Sequence, residues 1–386
     1  MTEHSLSLPS VEISLDNLLH NLEALRSRLS RGADILAVVK DNAYGCGSRM
    51  VALTLEREGN VRFFAVARTA EAFYLRDSGV KSPILVLGGA TVEELRQGHY
   101  RDITFTLNDL ADIAVWKDAG VPVRFHCNID TRMHRLGLMP AEIGAAADAV
   151  KHFPSLSLLG AFTHLANADE PGTPTVADQL KIFFDGVAAF RRSGLDVATV
   201  HCANSAGLIR HGLPEGCTLA RPGIALYGCA PDPAQKFSLD LREIASLKCR
   251  VVKIKTVPPN TPVSYGGTFT TGQTTAIATV ALGYGNGYPR SLGNRGSLLI
   301  GGRRFPIVGR VTMDYCMVDV GDGSGIAPGD VAIAIGSQGR ERITADEIAL
   351  QTGTIGYEIL CNLNQSLDRV YQRGGSVVAE EKGRIF

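Results

Sequence analysis

The most constraining feature of this sequence is a regular alternation of apolar, β-branched runs with helical stretches over roughly 200 residues. Each run ends in a polar or glycine-rich loop. Eight such runs occur, at residues 35–40, 62–67, 83–88, 103–107, 122–129, 156–164, 198–203 and 218–228. Eight strands alternating with helices predict a (β/α)8 barrel of the TIM type. An open doubly wound sheet is the competitor, but no G-x-G-x-x-G segment follows any run.

The pattern changes near residue 240, where strand-like runs separated by Gly and Pro replace the alternation. The 386 residues also exceed the size at which one core usually stops growing. The sequence therefore predicts an α/β protein, a barrel followed by a C-terminal β-rich domain. We place the barrel at 1–238 and the β domain at 239–386, joined by the polar, proline-containing linker 231–240. Residues 1–15 contain the short run 11–15, which could serve either domain.

Charge and cysteine content exclude several classes of protein. Lys+Arg and Asp+Glu both number 39, so the neutral balance predicts no nucleic-acid partner and no anionic membrane partner. No run of about 18 apolar residues and no secretory signal pattern occur, so we expect a cytoplasmic protein without membrane association. The eight cysteines are scattered without a C-x-x-C pair, which predicts reduced thiols and no metal site.

Polar residues at the predicted carboxyl ends of the strands are candidates for chemistry, because barrel active sites are built there. Lys40 directly follows four apolar residues of the first run. After the seventh run come Asn204 and Ser205, and the eighth carries Arg221 and Gly223, in the loops that commonly form a phosphate site. A lysine on the first strand with a phosphate cradle after the last two suggests pyridoxal phosphate held covalently by Lys40.

Eight segments carry a resemblance that extends over nearly the whole chain, from about residue 10 to 375. They are AVVKDNAYGCG, FTHLANADE, HCANSAG, RPGIALYG, VSYGGTF, ALGYGNGYPR, GRVTMDY and GTIGYEI. Together and in this order they resemble the alanine racemases. The resemblance implies a pyridoxal-phosphate barrel plus β domain, a small amino-acid substrate, interconversion of L- and D-alanine, and a homodimer whose active sites are shared between subunits.

The resemblance also assigns roles. Racemisation needs two bases on opposite faces of the α-carbon, and these are assigned to Lys40 and to Tyr284 supplied by the partner subunit. His164 links that tyrosine to Arg221, whose permanent charge keeps the cofactor ring nitrogen unprotonated. The full cofactor set implied is Lys40, Tyr44, His164, Asn204, Ser205, Arg221, Gly223, Ile224 and Tyr357. The substrate carboxylate is assigned to Arg135 and Met313, and no metal is implied.

The segment 128–137 departs from the family pattern. Asn128 replaces a lysine that many members carry as a carbamate, so Arg135 needs another partner, for which the resemblance suggests chloride. Arg132 and His134 replace two glycines and add bulk near the carboxylate site. These changes leave a racemase of broader range, acting on serine, lysine or arginine, as an alternative.

Two further alternatives differ in class. A non-catalytic pyridoxal-phosphate carrier resembles a single barrel without a β domain, and the β-rich residues beyond 239 count against it. A barrel-plus-β decarboxylase would pair a carboxylate with the cofactor ring nitrogen and use a cysteine of the partner chain, so Arg221 and Tyr284 disfavour it.

Overall fold

A closed barrel of eight parallel strands forms the first part of the chain, as the alternation predicts. The structure is a computed structural model that describes residues 9–170, 175–235, 239–323 and 325–383. The barrel strands are β2 (Asp34–Val38), β3 (Phe63–Val66), β4 (Ile84–Val86), β5 (Ile103–Leu107), β6 (Val123–Asn128), β7 (Leu156–Phe162), β8 (Thr199–His201) and β9 (Leu219–Ala220). All eight predicted runs are confirmed. The last strand is the shortest, because Pro222 and Gly223 end it.

Helices surround the barrel and bury its outer face. They are α1 (Leu15–Arg26), α2 (Ser48–Arg57), α3 (Thr69–Asp77), α4 (Val92–Tyr100), α5 (Ala111–Ala119), α6 (Ile143–His152), α7 (Thr175–Arg192) and α8 (Ser205–His211). Strands covered on both faces have continuous apolar runs, and all five residues of β5 are buried. None of the described helices combines the length and apolarity needed to cross a bilayer.

The C-terminal part is rich in β structure, which confirms the second half of the predicted fold class. Its strands are β10 (Ala245–Val257), β11 (Pro262–Val263), β12 (Phe269–Thr270), β13 (Thr275–Val280), β14 (Ser297–Ile300), β15 (Arg303–Pro306), β16 (Cys316–Asp319), β17 (Val331–Gln338), β18 (Glu341–Ile343), β19 (Asp368–Arg373) and β20 (Ser376–Glu381). Two short helices, α9 (Ala345–Thr352) and α10 (Gly356–Cys361), lie between β18 and β19.

Strand β1 (Ser10–Ser14) belongs to the large C-terminal sheet, although it precedes the barrel in the chain. The main path through that sheet is β15-β14-β17-β10-β1-β19-β20. Ser10 pairs with Lys248 of the antiparallel β10 and with Asp368 of the parallel β19. The described part of the chain therefore passes first through this sheet, then forms the barrel, and afterwards returns to the same sheet. The predicted domain boundary after residue 238 adjoins 236–238, which lie outside the described residues, and the boundary stays a prediction.

Candidate active site

Lys40 lies directly after β2, where the chain makes one left-handed helical turn. The φ and ψ angles of Asp41, Asn42 and Ala43 all lie between 45° and 55°, and Tyr44 follows with a φ of 52°. A left-handed conformation costs roughly 1–2 kcal/mol for each non-glycine residue, and such strain is concentrated at functional sites. The Lys40 ammonium lies 4.0 Å from the Asp41 carboxylate.

The Glu71 carboxylate of α3 holds this turn in place. One oxygen accepts the backbone N–H of Asp41 at 2.6 Å. The other accepts the N–H groups of Ala67 and Arg68 at 2.8 and 3.0 Å. Hydrogen bonds from backbone N–H groups to a carboxylate are strong, so Glu71 ties the segment after Lys40 to the loop after β3. The sequence reasoning missed this residue.

Arg221 follows β9 and is buried, with 4 % of its surface exposed. Its Nη2 donates to the Thr163 carbonyl at 2.7 Å. Its Nη1 donates to the His201 carbonyl at 2.9 Å and lies 3.0 Å from Nδ1 of the same histidine. Burial lowers the pKa of Arg221 to about 10, and the Arg135 charge adds to this. Arg221 therefore stays a cation at neutral pH.

A cavity of about 220 Å³ brings several of the predicted residues together at the carboxyl ends of the barrel strands. Its lining includes Lys40, Arg135, His164 and Arg221. His164 Nδ1 lies 3.5 Å from Arg221 Nη2. Burial and the neighbouring charges of Arg221, Arg135 and Lys40 lower the pKa of His164 to about 3. The cavity thus combines an amine, two guanidinium groups and a neutral imidazole.

The residues predicted to bind phosphate form a second group beside the cavity. Ser205 Oγ accepts the backbone N–H groups of Gly223 at 3.0 Å and Ala225 at 3.3 Å. Tyr44 packs near Tyr357, with ring centroids 6.0 Å apart, and burial raises the pKa of the Tyr44 phenol well above its usual value. A Cβ at position 223 would overlap the Tyr44 hydroxyl.

Asn204 and Ile224 take different places in this group. The Asn204 side chain caps α8 by accepting the Gly207 N–H at 2.8 Å. It also donates to the Leu165 carbonyl at 3.4 Å. Ile224 is fully buried and follows Gly223 at the start of a short 3-10 turn, so only its backbone can face a ligand. In the structure, Asn204 therefore shapes the segment that carries Ser205.

Replacing Gly223 with alanine is expected to weaken cofactor binding by about tenfold or more, because the new methyl group displaces the Tyr44 hydroxyl. The φ of Gly223 is −117°, so backbone strain does not enter this prediction. Absorbance titration of the cofactor-free protein with pyridoxal phosphate would measure the effect. Gly144→Ala is the matched control, since its Cβ meets no atom within 4 Å. Equal affinities for both variants would contradict the role given to Gly223.

The segment after β6 presents Arg135 to the cavity and turns its neighbours away. Asp130 Oδ1 accepts the backbone N–H groups of Arg132 at 3.0 Å and His134 at 3.1 Å. Arg132 then pairs with Asp178 of α7 at 3.2 Å. Neither Arg132 nor His134 lines the cavity. The bulk that replaces two family glycines therefore lies outside the space available to a substrate.

Both replaced positions keep the backbone that favours glycine. The φ angles of Arg132 and His134 are 113° and 50°. Asn128, at the end of β6, lines the cavity and donates from Nδ2 to Asn108 Oδ1 at 2.9 Å. Asn108 in turn donates to the Leu87 carbonyl at 3.1 Å. The Asn128 amide is thus held by a neutral network, formed with the Asn108 side chain and the Leu87 carbonyl.

Tyr284 and Met313 do not reach the cavity of their own chain. Both lie on the β domain and are exposed, by 42 % and 56 %. The Tyr284 N–H donates to the Thr312 carbonyl at 3.1 Å, so the two segments are joined. Within one chain the structure thus separates these predicted residues from Lys40 and Arg221.

A second tyrosine, Tyr265, lies exposed on the β domain and was missed by the sequence reasoning. It is 71 % exposed and follows Ser264, a non-glycine residue with a φ of 64°. Ser264 Oγ donates to the Arg310 carbonyl at 2.7 Å, and the Arg310 guanidinium lies beside the adjacent Gly266. The sequence offered only the segment VSYGGTF, and the strain at Ser264, of a kind that marks functional segments, becomes visible in the structure.

Three buried neutral histidines make stability depend on pH. Burial, with the Arg221 charge, lowers the pKa of His126 to about 4 and that of His201 well below its usual value. The pKa of His164 is lowered likewise to about 3. The unfolded chain, with histidine pKa values near 6.5, binds more protons below that pH. The stability that these groups contribute in full above pH 6.5 is therefore lost as pH falls toward 4.

The three histidines alone would give a slope of roughly 4 kcal/mol per pH unit near pH 5, and the opposing proton on Glu243 lowers the expected slope to roughly 3 kcal/mol per pH unit. Glu243 opposes it by about one proton, since burial raises the pKa of its carboxyl to about 7 and the folded state keeps that proton. Urea unfolding at several pH values between 5 and 7 measures the slope. His126→Asn should reduce it by about one proton. An unfolding free energy that is constant over this range would contradict the assignment.

Within the described residues, no group of three or more His, Cys, Asp or Glu side chains is placed to hold a metal ion. All eight cysteines are free thiols, and Cys361 is the exposed one.

Comparison with known proteins agrees with this geometry over both parts of the chain. A family model described as the alanine racemase N-terminal domain matches residues 13–231, and one described as the C-terminal domain matches 244–371. An alanine racemase of Carboxydothermus hydrogenoformans is 38% identical over 366 residues, covering 93% of this chain and 98% of that protein.

Solved structures give the same result. A Clostridium difficile alanine racemase superimposes with a TM-score of 0.91 at 34% identity, covering 99% of this chain and 100% of that one. A Bacillus anthracis alanine racemase with bound L-Ala-P has a TM-score of 0.89 at 33% identity, and covers 97% of each chain. With both family models matched and relatives above 30% identity along nearly the full length, this chain belongs to the alanine racemase family.

Proposed function

We propose that the protein interconverts L- and D-alanine with pyridoxal phosphate, using two bases on opposite faces of the α-carbon. The observation that carries the proposal is the cavity at the carboxyl ends of the barrel strands, where Lys40, Arg135 and Arg221 meet. An amine, a cation for a carboxylate and a cation for a ring nitrogen are the groups that this chemistry needs.

The residues of the site fit pyridoxal phosphate. A phosphate would be held by the Ser205 hydroxyl and the Gly223 backbone, beside the Tyr44 hydroxyl that leaves no room for a Cβ. Arg221 would donate to the ring nitrogen, and Lys40 would carry the covalent bond. When bound, the cofactor supplies an electron sink for the electron pair left at the α-carbon.

The side chains then divide the remaining work. Lys40 Nζ removes the α-proton on one face and returns it in the reverse direction. Arg135 binds the substrate carboxylate, to which its planar guanidinium is matched. Arg221 keeps its proton, so it orients the ring without protonating it. His164 stays neutral because its pKa is lowered to about 3.

The base on the other face is proposed to come from a second copy of the chain. Tyr284 is the residue assigned from the sequence, and its exposed position away from its own cavity supports a role across an interface. Tyr265 is the competing candidate. Its greater exposure, the strained turn that presents it and the nearby Arg310 favour it on geometry, because a cation helps a phenol to act as a base.

Mixing two inactive chains tests the shared site. One chain carries Lys40→Ala and the other carries both Tyr265→Phe and Tyr284→Phe. A mixed dimer has one site that lacks both groups and one that is complete, so random reassociation should restore about a quarter of the parental activity. Mixing that restores none, while sedimentation shows mixed dimers, would contradict the exchange of residues between subunits.

Alanine is the proposed substrate, with the broad-range racemase as the second candidate. The outward position of Arg132 and His134 supports alanine, because neither enlarges or charges the cavity. Chiral chromatography after incubation with L-alanine, L-serine, L-lysine or L-arginine separates the two. We expect D-alanine to form at least about a hundredfold faster than the others. Comparable rates would favour the broad-range racemase, and no D-product at all would favour the carrier protein.

A further inference from the structure

Two buried histidines, His201 and His126, lie beside Arg221 but do not line the cavity. His201 at the end of β8 is fully buried, and His126 on β6 is 7 % exposed. Their rings are joined by a contact of 2.8 Å between His126 Nδ1 and His201 Nε2. No step of the proposed mechanism uses either imidazole, so their burial calls for a separate explanation.

The hydrogen bonds of Arg221 show what His201 does. A guanidinium has five N–H donors in a fixed plane. Both Nη1 donors are directed at His201, one at its Nδ1 and one at its carbonyl oxygen, at 3.0 and 2.9 Å. Nη2 donates to the Thr163 carbonyl at 2.7 Å and lies 3.5 Å from both His164 Nδ1 and the Cys202 carbonyl. The Nε–H is the donor left for the cavity.

These contacts determine where each imidazole carries its proton. Because His201 Nδ1 faces an N–H donor of Arg221, it must accept, so the His201 proton is on Nε2. That N–H then donates to His126 Nδ1, so the His126 proton is on its own Nε2. Protonating either ring would place two donors face to face. The hydrogen bonds therefore form a chain with one direction of donation, from Arg221 to His201 and from His201 to His126.

Packing keeps this arrangement rigid. The Phe162 ring stacks on the His201 ring, with centroids 5.0 Å apart and planes 14° apart. The Arg221 guanidinium carbon lies 5.1 Å from the centroid of the same phenylalanine. A cation over a buried aromatic face is attracted to it. Phe162 therefore fixes both the imidazole and the guanidinium.

We propose that His201 is a positioning residue, oriented by His126, that binds both Nη1 donors of Arg221 and leaves the Nε–H for the ring nitrogen of the cofactor. This inference rests on the proposed function for the identity of the group that Arg221 meets. The hydrogen bonds from Arg221 to His201 and from His201 to His126 are inferred from contacts within the protein alone. Without the His201 imidazole, the guanidinium would lose one acceptor contact in a buried site, and only the backbone carbonyl of residue 201 would still hold Nη1.

Nitrogen NMR of the histidine-labelled protein, loaded with pyridoxal phosphate, tests the tautomers directly. We expect both His201 and His126 to be neutral with the proton on Nε2 from pH 6 to 9, whereas the exposed His152 serves as a solvated reference. Signals that show His201 protonated on Nδ1, as an imidazolium or as the other tautomer, would overturn the proposal. This measurement needs no variant and no activity.

Two variants at one position test the positioning role. His201→Leu removes the acceptor, and we expect kcat to fall about 10- to 100-fold with KM for alanine changed by less than about threefold. His201→Asn places an amide oxygen near the site of Nδ1 and should recover to within about fivefold of the parent. His152→Leu is the surface control. Equal kcat values for the leucine variant and the parent would overturn the proposal.

The pair His126→Leu and His126→Asn covers the case in which His201→Leu does not fold. His126→Leu removes the acceptor of the His201 Nε2–H, so the signal of that nitrogen should shift while Arg221 keeps the proton on Nε2, and His126→Asn, whose amide oxygen can accept, should retain the parental signal. A His201 spectrum that is the same in both would overturn the directional chain. If instead the parent protein does not racemise alanine but shows the expected tautomers, the proposed function fails while the hydrogen-bond chain stands.

Discussion

Lys40→Ala is expected to abolish racemisation, with a loss of at least about 10⁴-fold, because one substitution removes both the proposed covalent attachment of the cofactor and one of the two proposed bases. The visible absorbance of the covalently attached cofactor should disappear at the same time. Lys40 is the amine that lines the cavity with Arg135 and Arg221, which is why no other lysine is expected to substitute for it. Absorbance spectra and chiral product analysis measure both effects.

Lys151→Ala is the matched control. Lys151 pairs with Asp148 on the surface at 3.2 Å and lies on α6, away from the cavity lining. This variant should keep the parental spectrum and rate. A Lys40→Ala protein that retains the visible band would place the cofactor on another residue and contradict the account.

Removing the tyrosine base is expected to uncouple proton exchange from inversion. The variant should still exchange the α-proton of one enantiomer through Lys40, but form the other enantiomer about 10²- to 10⁴-fold more slowly. Because the two enantiomers have equal free energy, kcat/KM must fall equally in both directions. The diagnostic result is therefore exchange of a single enantiomer without inversion.

Tyr284→Phe and Tyr265→Phe are compared for this behaviour. Tyr284 is the assignment made from the sequence, and the geometry of the exposed face favours Tyr265. The variant that exchanges one enantiomer without inversion identifies the base. Tyr100→Phe, at a tyrosine that is 84 % exposed on α4, is the control and should behave as the parent. Near-parental inversion by both Tyr265→Phe and Tyr284→Phe would show that neither tyrosine is the second base.

The barrel could be predicted because its strands are buried on both faces and so leave continuous apolar runs in the sequence. The place of β1 could not, since Ser10 pairs with Lys248 and Asp368, residues far apart in the chain. The left-handed turn after Lys40 could not be predicted from the sequence either. Of its members only Asp41 and Asn42 belong to the types that tolerate this conformation, and Ala43 and Tyr44 give no such signal.

The same distinction holds at the active site. Lys40, Ser205 and Arg221 could be predicted as candidate site residues because they end strands or begin loops in motifs. The contact between His126 and His201 depends on the register of three adjacent strands, β6, β7 and β8. The direction of Arg132 depends on the Asp130 hydrogen bonds that hold its backbone at positive φ. Neither feature can be predicted from the spacing of residues along the sequence alone.

Incubation of the pyridoxal-phosphate-loaded protein with L-alanine in deuterium oxide tests the central claim most directly. Proton NMR follows the loss of the α-proton, and chiral analysis with mass spectrometry follows the product. The account predicts D-alanine that carries deuterium at the α-carbon, because the proton is removed on one face and a different base supplies the deuteron on the other. D-alanine that retains the original α-proton, or alanine that neither exchanges nor inverts, would contradict it.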